Sequence, residues 1–211
     1  MKFELYRRID LIVFGVLMIF SSLASLFIFS NHSFQFYISF TNLILFIVIV
    51  RWNYLGLLPY LINQIILSIV QVNSFAAEPL LAFGVNLFGC LFLPFLCFIM
   101  SKYIKNVRTR PILLCILFCM TFVLIGIGRA FGMFLVQDFN LWNNFKVYVI
   151  NQEFFSMVIG LVLLLLLKNI DNLVVNVKDY LEKVQEEAKR EEDNNGRIQK
   201  QKLHRNDIEK D

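Results

Sequence analysis

Apolar residues occur in long blocks along the first 168 residues of the chain, separated by short polar or charged segments. A helix needs about 20 apolar residues to cross roughly 30 Å of hydrocarbon. The pattern therefore predicts an all-α integral membrane protein with six transmembrane helices. The predicted spans are residues 11–30, two short spans within 36–72, then 80–100, 112–136 and 148–167. The stretch 36–72 is interrupted at Arg51-Trp52-Asn53, which fits either a turn between two crossings or a re-entrant hairpin.

The pattern changes after residue 168. Apolar residues now recur every three or four positions, at Ile170, Leu173, Val177, Leu181 and Val184. This spacing predicts a cytosolic amphipathic helix over residues 169–193, followed by a charged flexible tail over residues 194–211. The apolar stripe fits a solvated helix; it also fits a helix that pairs with a partner, although it covers only about two heptads and a coiled coil needs three or four.

The distribution of charge predicts the orientation. Residues 1–168 contain 11 Lys and Arg against 5 Asp and Glu, whereas residues 169–211 contain 9 against 11. Outside the spans, the cations of the first block lie in the N-terminal segment, at Arg51, in residues 101–111 and at Lys168, while the alternate loops contain only Lys146. Because positive residues stay on the cytoplasmic side, both termini are predicted to be cytoplasmic in a multi-pass protein of the cell membrane. The chain has no basic face separate from the apolar runs, so nothing in the sequence indicates a nucleic-acid partner.

The inventory of reactive side chains argues against an enzyme. The two histidines, His32 and His204, fall in loops on opposite predicted sides, and no Asp lies inside a predicted span. The chain has no phosphate-binding Gly-x-x-x-x-Gly-Lys-Ser/Thr motif. Its cysteines are Cys90, Cys97, Cys115 and Cys119, with neither a Cys-x-x-Cys spacing nor a neighbouring His. We expect no catalytic residues, no cofactor and no metal site.

Arg129 lies about seven residues inside the fifth predicted span. An ionised guanidinium at that depth costs several kcal/mol unless it is paired or hydrated. Glu153 is the acidic residue at matching depth. Two amides, Asn42 and Asn86, lie at comparable depth within the spans, and two more, Asn63 and Gln64, lie nearer the midplane. Either Arg129 and Glu153 form a structural ion pair, or the set lines an outward-opening pocket in which Arg129 binds a carboxylate or phosphate.

Small residues predict close contacts between helices. Gly128 and Gly132 form a Gly-x-x-x-Gly pair, and a second small face consists of Ser21, Ala24 and Ser25. Both fit packing inside the bundle, and the second could instead dock another membrane subunit. Pro59 and Pro94 are expected to bend the third and fourth spans.

The six-span layout, together with the segment 38–70 and its sequence YLGLLPYLINQ at residues 54–64, resembles the substrate-binding S component of energy-coupling-factor (ECF) vitamin transporters. The resemblance covers residues 8–168. It implies a vitamin-type substrate bound near the outer surface, with docking through the first helix on a transmembrane coupling subunit that works with cytosolic ATPases. The family's alanine-based docking motif is represented here only by Ser21, Ala24 and Ser25. Its Gly-Pro turn before the third helix is replaced by Arg51-Trp52-Asn53.

Three functions therefore remain open at this point. The first is a substrate-binding subunit that captures a small anionic solute from outside, with Arg129, Glu153 and the four amides as binding residues. The second is a structural or assembly protein that recruits a cytosolic partner through its C-terminal helix. The third is a channel, although a single inner Arg supplies no ring of filter groups unless the chain oligomerises.

Overall fold

The computed structural model of the chain describes residues 3–30, 38–75, 77–107, 110–137 and 140–170, with residues 173, 174 and 177. The chain divides into a unit Met1–Val175 and a second unit Asn176–Asp211, of which Val177 is described and is helical. Most of the predicted helix 169–193, all of the predicted tail 194–211, and both histidines lie outside the described residues. The fold below is that of the first unit.

Every regular element in the described ranges is a helix, so the predicted all-helical class is confirmed there. The α-helices are α1 (Phe3–Ser30), α2 (Thr41–Trp52), α3 (Leu57–Phe75), α4 (Pro79–Phe88), α5 (Leu93–Val107), α6 (Pro111–Gln137), α7 (Leu141–Lys146) and α8 (Phe154–Leu167). A 3₁₀-helix, Asn53–Gly56, connects α2 to α3, and a π-helix, Val147–Gln152, connects α7 to α8.

Four helical stretches are long and apolar enough to cross a membrane: Glu4–Ile28, Thr41–Ser74, Pro79–Tyr103 and Pro111–Gln137. A fifth is added if Leu141–Ile150 and Phe154–Leu167, which meet at 44°, form one broken span. Large apolar side chains are exposed on every long helix, as hydrocarbon surroundings allow and water does not. These features are compatible with a multi-pass membrane protein. The six crossings and the cytoplasmic termini stay predictions.

The stretch Thr41–Ser74 folds back on itself. The hydroxyl of Ser22 in α1 shares a 2.7 Å hydrogen bond with Thr41 and accepts a 3.0 Å bond from Asn63. An unbroken helix would hold these two partners roughly 33 Å apart, at 1.5 Å per residue. The chain must therefore reverse between α2 and α3. The reversal lies next to Asn53, whose φ of 51° is in the left-handed region.

The tightness of this reversal depends on Gly56. A Cβ atom at Gly56 would lie 2.9 Å from the carbonyl oxygen of Val48, so only glycine allows this approach. The reversal thus falls at Asn53–Gly56, and the predicted turn at Arg51-Trp52-Asn53 lies three to five residues before the closest contact. Helix α2 is only about 18 Å long at 1.5 Å per residue, and all its residues except Ile44 are buried. It is the central helix of the bundle.

Helices α4 and α6 pack with their backbones in contact. A Cβ atom on Gly128 would overlap the carbonyl oxygen of Phe88, and one on Gly132 would lie 2.8 Å from that of Gly84. The two glycines of a Gly-x-x-x-Gly pair have no side chains, so they allow two helix backbones to pack at short range. The predicted packing inside the bundle is confirmed for these two glycines.

The two prolines behave differently. Between α4 and α5 the backbone forms shorter-range bonds, Cys90 N–H to Leu87 O at 3.0 Å and Leu91 N–H to Phe88 O at 3.0 Å. Pro94, which has no N–H, follows this break directly, and the predicted bend of the fourth span stays a prediction. Pro59 lies in the first turn of α3, where no helical partner for its nitrogen is needed, and α3 continues through it. The predicted bend at Pro59 is wrong.

Candidate functional site

Arg129 and Glu153 form an ion pair inside the bundle. Nη1 of Arg129 lies 2.5 Å from Oε1 of Glu153, and their side chains are 12% and 3% exposed. Asn42 donates from Nδ2 to the other carboxylate oxygen of Glu153 at 3.0 Å. The structure thus unites three of the predicted site residues, one from α6, one from the start of α8 and one from α2.

Two interruptions of helical backbone adjoin this pair. Glu153 follows the π-helix and precedes α8, at the 44° bend, and its N–H bonds to Tyr148 O five residues earlier at 3.1 Å. On the other side, a Cβ atom at Gly89 would lie 3.2 Å from Cγ of Arg129, which places the arginine against the break between α4 and α5. Irregular backbone at membrane depth is tolerated where it is buried in protein or lines a cavity. Single π-helical turns are often found at functional sites.

The electrostatics of the pair follow from its burial. Removing one partner of a buried pair leaves an uncompensated charge, which costs about 3–5 kcal/mol. One carboxylate oxygen of Glu153 accepts from Arg129 and the other accepts from Asn42, so both oxygens have a hydrogen-bond donor. The arrangement is neutral overall.

Asn86 is engaged between α3 and α4. Its Nδ2 donates to Ser68 Oγ at 3.0 Å and to Gln71 Oε1 at 2.8 Å. Ser68 in turn donates to the backbone oxygen of Ala82 at 3.2 Å. These bonds join two helices that pack against each other, and a role for Asn86 in binding a substrate stays a prediction.

Asn63 and Gln64 also lie apart from the ion pair. Asn63 donates to the hydroxyl of Ser22. A chain of hydroxyl hydrogen bonds continues from there, from Ser22 to Thr41 at 2.7 Å and from Thr41 to Ser39 at 2.8 Å. Gln64 is 1% exposed, and its Oε1 has no hydrogen-bond partner within the described residues. The prediction that both amides bind a substrate is untested.

The small face of α1 contacts the chain itself. Ser21 Oγ accepts from the backbone N–H of Phe40 at 3.1 Å. Ser25 Oγ lies within hydrogen-bonding distance of two carbonyl oxygens, Ser21 O at 2.8 Å and Ile38 O at 2.7 Å, and donates its single proton to one or the other. Ala24 is half-buried beside them. Docking of another subunit on Ser21, Ala24 and Ser25 stays a prediction.

Sequence reasoning missed a second buried ion pair. Arg51, 4% exposed, holds Asp10 with two bonds, Nε to Oδ2 at 2.8 Å and Nη2 to Oδ1 at 3.0 Å. It also donates to Tyr6 Oη at 3.0 Å and to the backbone oxygen of Leu173 at 3.2 Å, and Trp52 Nε1 donates to Asp10. We call these five residues the Arg51 cluster.

A signal for the Arg51 cluster was present in the sequence. Asp10 precedes the first predicted span and Arg51 marks the first predicted inner turn, so the topology already put both at the same end of neighbouring helices. The sequence pattern identifies Arg51 only as part of a turn and as a marker of orientation. Opposite charges at one end of antiparallel helices predict a pair, and a forked guanidinium is well suited to a carboxylate.

The cysteines are free thiols, and two of them border a groove on α6. The groove has a volume of about 380 Å³ and is apolar. Its lining residues are Cys115, Ile116, Cys119, Met120, Val123 and Leu124. None of the ion-pair residues lines this groove, so it is not the polar pocket that the sequence suggested. Within the described ranges no three His, Cys, Asp or Glu side chains are grouped to hold a metal ion.

Fold and site together define, over the described residues, a helical bundle with membrane-length apolar helices and a buried charge pair between two helix breaks. Comparisons with protein-family profiles, curated proteins and solved structures find no match for it.

Proposed function

We propose that this chain is the substrate-binding membrane subunit of a micronutrient uptake transporter of the ECF kind. It lies in the cell membrane with both termini cytoplasmic and captures a small, anionic, vitamin-type solute from outside. The observation that carries the proposal is the Arg129–Glu153 pair, buried at the junction of two interrupted helices with Asn42 as third partner.

The chemistry of the pair supports solute exchange. The guanidinium presents a planar fork of donors that matches a carboxylate or a phosphate. An arriving anion replaces Glu153 at Arg129, while Asn42 retains its bond to the displaced carboxylate. Solute sites in many transporters are built from interrupted helices, because their backbone groups and side chains face a polar interior. The breaks beside Gly89 and Glu153 provide this construction.

Coupling to energy follows from the resemblance to the S components. The chain binds a transmembrane coupling subunit, which works with cytosolic ATPases, and reorients to release the solute inside. Helix α1 is the docking element. Its small face at Ser21, Ala24 and Ser25 is bonded within the chain, and the surface that it offers to a partner is an exposed apolar row at Ile12, Val16 and Phe20, spaced four residues apart on one side of the helix.

The test is solute binding by the purified protein and uptake by cells. Binding of vitamin-type anions should be lost in Arg129→Ala and weakened at least about tenfold in Arg129→Lys, which keeps the charge but loses the fork. The control Arg110→Ala, at an exposed position before α6, should bind and transport normally. If no such anion binds the native protein, or if Arg129→Ala transports normally at equal membrane abundance, the proposal is wrong.

The second candidate is an assembly protein that recruits a cytosolic partner through its C-terminal helix. It is favoured by the fact that Glu153 already neutralises Arg129 within the chain, as a purely structural pair would. Deletion of residues 169–211 should then abolish function while Arg129→Ala is tolerated wherever the protein still folds. The opposite pair of results favours uptake.

A further inference from the structure

Helix α2 has a polar contact at each end, and the two contacts lead to different parts of the molecule. Near its first residue, Asn42 bonds to Glu153 of the buried pair. Near its last residue, Arg51 bonds to Asp10 and to the backbone of Leu173. Arg51 lies nine positions after Asn42, so about 14 Å of helix lies between the two contacts.

The helix between these contacts is built to move as one body. Residues 43–50 contain neither glycine nor proline and include Ile44, Ile47, Val48, Ile49 and Val50, whose branched side chains have restricted rotamers. All of them except Ile44 are buried. Closely packed interiors shift between discrete arrangements instead of deforming continuously. A displacement at one end of α2 is therefore carried to the other.

Leu173 is the point at which the chain continues from α8 into the C-terminal region. Its carbonyl accepts from Nη1 of Arg51, whose other nitrogens are bonded to Asp10 and Tyr6. Arg51 is 4% exposed, so water cannot readily replace a lost protein partner. Any movement of the chain at Leu173 must be accommodated by the Arg51 cluster.

We infer that α2 mechanically couples the chain at Leu173 to the Arg129–Glu153 pair. Engagement or release of the C-terminal region changes the Arg51 cluster, shifts α2 and alters the bond from Asn42 to Glu153. The biological meaning of this coupling rests on the proposed function, because it would let an event at the C-terminal region set the state of the solute site. The coupling itself requires no solute.

Cys90 supplies a native reporter for the test. It follows Gly89, which contacts Arg129, and it is 9% exposed. A variant that keeps Cys90 and replaces the other cysteines with alanine is labelled with a membrane-permeant maleimide in isolated membranes, with and without Arg51→Gln. A second reporter keeps only Cys97, which is 0% exposed in α5, and detects general loosening of the bundle.

Arg51→Gln should accelerate labelling of Cys90 at least about fivefold, the lower end of typical coupling between sites, and leave Cys97 unchanged. The matched control Arg8→Gln, at an exposed position of α1, should change neither rate. An unchanged rate at Cys90, or an equal rise at both cysteines, would overturn the inference. If Arg51→Gln does not accumulate, truncation after Ile170 removes Leu173 while keeping the Arg51–Asp10 pair, and the same rates decide.

The result is independent of the proposed function. Labelling uses no solute. If Arg51→Gln accelerates labelling of Cys90 in a protein that binds no vitamin, the uptake proposal is refuted and the coupling is not. Solute binding that depends on Arg129, with no change in the Cys90 rate, refutes the coupling alone.

Discussion

Glutamine substitutions at the buried pair isolate the contribution of charge. In Glu153→Gln the amide oxygen can still accept from Arg129, and the amide nitrogen can donate to Asn42 once that side chain turns over. The hydrogen bonds are thus preserved and the negative charge is lost. The guanidinium, whose side chain is 12% exposed, is left without its counter-ion. The expected cost is about 3–5 kcal/mol of unfolding free energy, or roughly two to three and a half powers of ten in the folded-to-unfolded ratio.

The double variant completes the cycle. Arg129→Gln alone strands the carboxylate and should cost a similar amount. Arg129→Gln with Glu153→Gln removes both charges and leaves amides that can bond to each other. Its loss should therefore be smaller than either single loss, and the two substitutions should be strongly non-additive.

Unfolding in mixed detergent micelles, followed by far-ultraviolet circular dichroism and by tryptophan fluorescence, measures the four free energies. Coincidence of the two signals checks that the transition is two-state. Single losses below about 1 kcal/mol, which are typical of exposed pairs, or a double loss equal to the sum of the single losses, would contradict the buried pair. The charges would then be hydrated and independent.

Three further outcomes are expected from the same unfolding assay and from membrane abundance. Gly128→Ala forces a methyl group into the backbone of α4 and should cost about 1–3 kcal/mol, whereas Gly15→Ala, whose Cβ would lie 3.2 Å from its nearest neighbour, should cost clearly less. Asp10→Asn strands Arg51 and should lower stability by about 3 kcal/mol; equal stability would show that the cluster is hydrated. Asn63→Ala removes one interhelical bond and should cost only about 0.6–2 kcal/mol, so a loss as large as that of Asp10→Asn would refute this ranking.

Matching depth along predicted spans was enough to pair Arg129 with Glu153, because a buried charge requires a partner and few acids were available. The choice of amide was not predictable. Asn42, Asn63 and Asn86 have the same donors and acceptors, and only the rotation of each helix decides which one faces Glu153. Rotation depends on packing of apolar faces that look alike in sequence.

The hairpin at 36–72 was predicted by length and by Arg51, but its asymmetry was not. Hydropathy does not distinguish a short central helix from a peripheral crossing, since both are apolar on all sides. The close contact at Gly56 is what sets the position of the reversal, and a single glycine in an apolar run has many possible roles. Asp10 was missed because hydropathy placed it outside the first span, although α1 begins at Phe3 and includes it.

The shortness of α2 bears on how the chain is assembled during synthesis. In a bilayer, a helix of 12 residues cannot stand alone as an inserted segment, because roughly 20 are needed to span the hydrocarbon. Together with α3 it forms a stretch that can enter as one unit, and α2 then needs α5, α6 and α8 to enclose it. Helix α2 therefore reaches its final environment only after α8 has been made. Ribosome-bound intermediates that stop before residue 154 should leave Thr41–Trp52 open to proteases or to membrane insertion factors.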